Sequence, residues 1–219
     1  MEKQAFLSLL LISFFLAGNG QKTPVEIGFQ SGINFNSASK TGESNNVNRG
    51  LTGLNIGAGV KIKIRKRFGL KAILYFDENG WSYRSLLFEN NTASGLAMGD
   101  VLFKLKYLNL PVTVEYSFGN KIEYYLDAGI FSGLLLNNQT ILKIKEPDGT
   151  VFQNKGSSNY HHFNFGIVVA AGIKIPLLPR IKFDLGVKNN TGLVKINSSS
   201  SPLKLNAFSI LGGLSFKLK

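Results

Sequence analysis

Lys121–Leu136, KIEYYLDAGIFSGLLL, is the stretch whose reading decides the fold. Every second residue, Ile122, Tyr124, Leu126, Ala128, Ile130, Ser132, Leu134 and Leu136, is apolar apart from one small hydroxyl. The alternate set, Lys121, Glu123, Tyr125, Asp127, Gly129, Phe131 and Gly133, carries charge, a phenol and glycine. A period of two over this length makes a β-strand with two unlike faces. Strands of soluble proteins average about 5–6 residues, whereas a tilted strand that crosses a bilayer needs roughly 9–11.

Seven further segments have the same character. Strand one is Val25–Asn36, and the polar stretch 37–50 is a loop. Strand two covers Leu51–Arg65, followed by a tight turn. Strand three covers Gly69–Asp77, and 78–100 is a long excursion. Strand four is Val101–Phe118, in which Pro111 predicts a bulge or a broken ladder because it has no N–H to donate. After the quoted strand comes a loop at 137–159, with Asp148–Gly149 as a turn signal and room for a small hairpin. Strand six is Tyr160–Ile175, PLLP at 176–179 is a turn, and strand seven is Arg180–Lys188. A loop at 189–203 and strand eight, Lys204–Leu218, complete the chain.

Connections alternate long and short, the pattern of an eight-stranded antiparallel up-and-down transmembrane β-barrel with long loops outside and short turns in the periplasm. Glycine indicates which face is the lumen. Gly28, Gly32, Gly57, Gly59, Gly129, Gly133, Gly166, Gly172, Gly186 and Gly213 nearly all share the charged face. An eight-stranded barrel encloses only enough room for side chains. The crowded, glycine-rich face is therefore inside, and the Phe/Leu/Ile/Val face meets lipid.

The lumen then holds Glu26, Lys61, Lys63, Lys71, Glu115, Glu123, Asp127, Lys174, Lys182, Asp184 and Lys188, with Arg65 and Asp77 on the same face. Buried charge is costly unless paired. These groups are expected to form a network that plugs the barrel, with Glu123 and Asp127 meeting Lys or Arg of neighbouring strands. Phe35, Phe76, Tyr83, Tyr116, Phe118, Tyr124, Tyr160, Phe163, Phe208 and Phe216 are candidates for interfacial aromatic girdles.

The chain has 219 residues, a net charge of +12 and no cysteine. Disulfides, thiolate metal sites and a lipidated cysteine are excluded. The basic residues are dispersed rather than striped, which points to an acidic membrane surface or lipopolysaccharide and not to nucleic acid. Residues 1–20 read as a signal peptide, with Lys3, an apolar run from Ala5 to Ala17, and cleavage after Gly20; residues 21–219 form the barrel domain. His161 and His162 are adjacent and so point to opposite faces of a strand, which does not suit a shared metal. His162 is expected to face the lumen, where Asp77 or Asp100 could approach it, but no spacing selects a catalytic set. No enzyme, cofactor or metal is expected.

IGFQSGINF, FGLKAILYFDENGW, YLNLPVTVEY, YYLDAGIFSGLLL, FNFGIVVAAGIKI and FSILGGLSFKLK together resemble the eight-stranded outer membrane protein beta-barrel family of Gram-negative bacteria, which includes PorT-like proteins. The resemblance covers about residues 22–219 and implies a fold and insertion by the barrel-assembly machinery. Many such barrels end on an aromatic residue; here Lys217, Leu218 and Lys219 follow Phe216. The reading is a structural or surface-binding barrel that holds protein or small ligands at its external loops. The alternatives are a narrow channel or secretion accessory, and a soluble lipocalin-like carrier.

Overall fold

The computed structural model describes residues 24–40, 48–89, 96–145, 151–197 and 203–218. The expected leader lies outside these residues, as does the Asp148–Gly149 turn signal. Ten strands are present among the described residues: β1 Val25–Lys40, β2 Asn48–Gly50, β3 Thr52–Lys63, β4 Phe68–Glu89, β5 Leu96–Phe118, β6 Glu123–Lys145, β7 Val151–Gly156, β8 Phe163–Leu178, β9 Ile181–Gly192 and β10 Leu203–Lys217. All pairings are antiparallel. β4, β3, β1, β10, β9, β8, β6 and β5 follow one another around the sheet, and the β4–β5 pairing closes it into an eight-stranded barrel. β2 and β7 are short additions to β4 and β6. Closure satisfies the backbone without water, which is what a lipid surround requires.

The two faces separate as the alternation demands. Phe29, Ile33, Leu54, Ile56, Leu126, Ile130, Val169, Leu185 and Ile210 stand on the outer surface, and Glu26, Gln30, Asn34, Lys61, Glu115, Asp127, Lys174, Asp184 and Lys188 are buried inside. This polarity is the inverse of a soluble lipocalin, so a soluble carrier is ruled out.

The lumen is packed by cross-strand pairs of glycine and aromatic residues. Gly57 lies opposite Tyr75, Gly166 opposite Phe131, and Gly172 opposite both Tyr125 and Gly186. A Cβ on Gly57, Gly166, Gly172 or Gly186 would run into the ring beside it. At these four positions the missing side chain is the space that an inward ring occupies.

The strands overrun their expected ends. Residues 78–89 and 96–100 are not an irregular excursion: β4 and β5 remain paired there, from Asn79↔Leu105 up to Glu89↔Leu96, with a register shift between Tyr83 and Leu86. β6 likewise continues to Lys145 and takes β7 as a partner, β9 extends to Gly192, and β1 extends to Lys40. Strands of 22 and 23 residues reach roughly 70 Å at about 3.3 Å per residue, far beyond a bilayer core. Once a strand leaves lipid its outer face turns polar, so the amphipathic signal fades while the ladder persists. Of PLLP the first three residues are strand, since β8 passes through Pro176 to Leu178 with a register shift between them, and the turn is confined to Pro179 and Arg180. At Pro111 the β4–β5 ladder is interrupted between Ala72↔Val112 and Tyr75↔Asn109, as expected of a residue without an N–H. The short turn at 119–122 uses a left-handed residue, Gly119, with φ of 101°.

Candidate functional site: the barrel interior

The interior is layered. Nearest the short turns, four lysines from β3, β4, β8 and β9 meet four carboxylates from β1, β5 and β6. Lys61 pairs closely with Glu115 and lies 3.4 Å from Glu123 and 3.7 Å from Glu26. Lys174 is 2.8 Å from Glu115, Lys71 is 2.8 Å from Asp127 and 3.8 Å from Glu115, and Lys182 is 2.7 Å from Glu123 and 3.4 Å from Glu26. Each carboxylate of this layer touches at least one ammonium, and Glu115 touches three.

The partners are not mainly on neighbouring strands, as the alternation had suggested. Asp127 on β6 reaches Lys71 on β4, past the whole of β5, and Glu123 reaches Lys61 and Lys182. Lys174 is flanked in register by Glu123 and Asp184 yet bonds Glu115. The barrel is narrow, so a lysine stem spans the lumen, and glycine on the walls leaves room for it to turn inward.

Asp184 belongs to a different layer. It accepts hydrogen bonds from Gln30 (3.0 Å) and the Tyr125 hydroxyl (2.8 Å), and it makes no ion pair among the described residues. Tyr75 donates to Gln30 in turn. Lys188 sits with its ammonium 3.6 Å from the centroid of the Tyr75 ring, a cation–π contact in place of the expected salt bridge. Lys63 also departs from expectation. It lies at the mouth by the short turns, in a hollow of about 220 Å³ with Lys66, Arg67 and Glu123, and has no ion-pair partner among the described residues.

Above this, Asp77 accepts from the amides of Asn34, Asn55 and Asn109, and Ser209 donates to Asn34 at 2.6 Å. Gln30, Asn34, Asn55, Asn109 and Ser209 were not singled out from sequence, although all occupy inward positions of the same alternation. Being uncharged, they carried no other signal.

The end bearing the long hairpins is closed by an apolar cap: Ala38, Trp81, Leu105, Tyr107, Leu135, Ile196 and Leu205, with Tyr83, Phe103, Tyr160 and Leu203 packed against them. Trp81 stacks on Phe103 at 5.1 Å and meets Tyr160 edge-on at 6.0 Å. Tyr83 and Tyr160 are thus cap residues and not girdle residues. Burial pushes the Tyr160 phenol up to about 12. A belt of rings does form on the outer face at the other end, where Phe68, Tyr116, Phe118 and Tyr124 run in contact.

The side chains of His161 and His162 are exposed, and Asp77 is held by amides. His162 was expected in the lumen. It precedes the first residue of β8, so the strand alternation does not govern it. Among the described residues, no group of three His, Asp or Glu is arranged to hold a metal ion.

Residues 19–197 match the family model described as the outer membrane protein beta-barrel domain. The chain belongs to this family. As an outer membrane barrel it resides in the outer membrane, with its belt of aliphatic side chains against lipid. No curated protein matches the chain in sequence. Solved structures that resemble this barrel include OprG from Pseudomonas aeruginosa, with 13% identity over 90% of this chain and 96% of that one and a TM-score of 0.48. Neisserial surface protein A shares 14% identity over 88% of this chain and 97% of its own, with a TM-score of 0.46. Ail of Yersinia pestis, an attachment invasion locus protein, shares 14% identity over 90% and 100% of the two chains, with a TM-score of 0.38.

Proposed function

We propose that this outer membrane barrel is a closed, non-conducting scaffold whose interior is a structural plug and whose outward hairpins form a binding surface. The observation that carries this reading is the filling of the lumen. Within the ion network and in the Gln30, Tyr75 and Tyr125 layer beside it, hollows of roughly 30 and 20 Å³ are each enough for a water or two and far from a continuous path. The network of Lys61, Lys71, Lys174 and Lys182 with Glu26, Glu115, Glu123 and Asp127 locks opposite walls together. The mature chain starts after Gly20 and is inserted by the barrel-assembly machinery, with the short turns periplasmic and the β4–β5 and β6–β7 hairpins outside. Planar-bilayer recording of the refolded protein tests the plug: no discrete conductance is expected, and reproducible open steps would replace it with a narrow channel. Exchange of 84–100 and 142–154 for short turns, which spares Trp81 and its cap, should leave the barrel folded and remove surface binding; binding that survives the exchange counts against the hairpins.

A further inference from the structure

The outer surface changes character abruptly on one side of the barrel. On β5 and β6 the outward apolar strip ends at Leu108, Leu110, Leu134 and Leu136, of which the last two are half exposed. The next outward positions on β5 are Lys106 and Lys104, with Asn137 and Gln139 of β6 opposite them; a register shift beside Lys106 opens the surface at this level. β7 adds Lys155, opposite Ile141. With Asn138, Gly156 and Ser157 these residues line a hollow of about 420 Å³, within the size range of small-molecule sites. Its wall is built: Asn138 accepts from the Ser158 N–H at 2.9 Å, and the Thr140 and Ser158 hydroxyls lie 2.7 Å apart, fastening the end of β7 to β6. Lys106 is engaged by Glu78 at 3.3 Å and rests over Phe76. Lys104 and Lys155 are exposed and have no carboxylate partner among the described residues.

We propose that this hollow binds the phosphorylated sugar headgroup of a glycolipid from the surrounding leaflet. The proposal rests on the hairpin end facing outward, as read above. The ammonium groups of Lys104 and Lys155 hold a phosphate as point charges. The amides of Asn137 and Gln139 meet sugar hydroxyls. The acyl chains lie along Leu108, Leu110, Leu134 and Leu136. A lipid is favoured over a soluble anion because the basic and amide positions share the outward face of β5 and β6 with the apolar strip and continue it without a gap, at the level where headgroups sit. Basic hollows of this kind at the edge of the apolar belt are suited to anionic headgroups.

The test is native mass spectrometry of the refolded mature barrel with three titrants: a bisphosphorylated diglucosamine glycolipid, the same lipid dephosphorylated, and the bisphosphorylated disaccharide without acyl chains. The Lys104→Gln/Lys155→Gln variant should bind the phosphorylated lipid at least about tenfold more weakly. Lys66→Gln/Arg67→Gln, at the opposite rim, should bind as the parent does. The dephosphorylated lipid should bind equally to the parent and to the Lys104/Lys155 variant. Equal affinity of that variant and the parent for the phosphorylated lipid would overturn the proposal. So would a soluble disaccharide that binds as tightly as the lipid, since the site would then read a free anion. Heat-modifiable gel migration verifies folding, and if the double variant does not fold, each single substitution should show about a threefold loss. Conductance reports on the plug independently of these titrations. Labelling of a Lys155→Cys variant on intact cells reports on orientation.

Discussion

Lys174 Nζ lies 2.8 Å from both carboxylate oxygens of Glu115, and both side chains are sealed from solvent. Glu115 also faces Lys61 and Lys71, so one carboxylate serves three ammonium groups carried by three other strands. Removing it strands those charges in a dry interior. Glu115→Gln should destabilise the barrel by about 3–5 kcal/mol, the range for breaking a buried pair by deleting one partner. Glu115→Gln/Lys174→Met should recover part of that loss. Urea unfolding in detergent, read by tryptophan fluorescence, measures both; a Glu115→Gln variant as stable as the parent would show that the network contributes little.

Tyr125 donates to Asp184 at 2.8 Å while its ring covers Gly172 and Gly186. A side chain at either glycine must displace the ring and break that hydrogen bond. Gly186→Val is expected to cost about 1–3 kcal/mol through overpacking. Removal of the ring in the same chain, Gly186→Val/Tyr125→Ala, should make the valine less harmful than it is alone. A double-mutant cycle with no coupling would mean the two positions do not contact.

Trp81 is the single tryptophan and is fully buried in the cap, on the inward side of β4. Its emission should therefore be blue-shifted in the folded barrel, yet insensitive to brominated acyl chains in the surrounding lipid. Strong quenching by brominated lipid would place the ring on the outer face and remove the cap. Trp81→Ala should cost about 3–5 kcal/mol, as large-to-small changes at buried aromatic sites do. It should leave the bilayer electrically silent, because the ion network lies below it.

Leu126 and Ile130 of β6 are half exposed on the outer surface. Arginine at Ile130 should cost about 2–4 kcal/mol in lipid, the range for a lipid-facing midplane position. The same substitution at Asn137, above the belt, should cost less than about 1 kcal/mol. Equal penalties at the two sites would displace the belt from where the apolar strip ends.

Much of this protein was legible because a barrel strand has a side-chain period of two and its two solvents are opposite in kind. KIEYYLDAGIFSGLLL shows lipid on one side and lumen on the other, and the glycines tell which is which, since only a crowded interior excludes a Cβ. Legibility failed where lipid ended. Beyond Phe76 and Leu108 the outer face of β4 and β5 turns polar while the inner face turns apolar around Trp81, Leu105 and Tyr107, so the alternation inverts, the paired hairpin resembled a loop, and the cap at its base went unseen.

The sequence by itself determined the strands that span the membrane, the face each turns to lipid, and the charges drawn into the lumen. These follow from local alternation and from the cost of charge in hydrocarbon. Only the tertiary structure decided which charge meets which. Lys174 lies between Glu123 and Asp184 in register but bonds Glu115, and Asp127 finds Lys71 beyond the intervening β5. Closure of a narrow barrel brings distant walls within the length of a lysine side chain, and that proximity exists in no strand and in no adjacent pair.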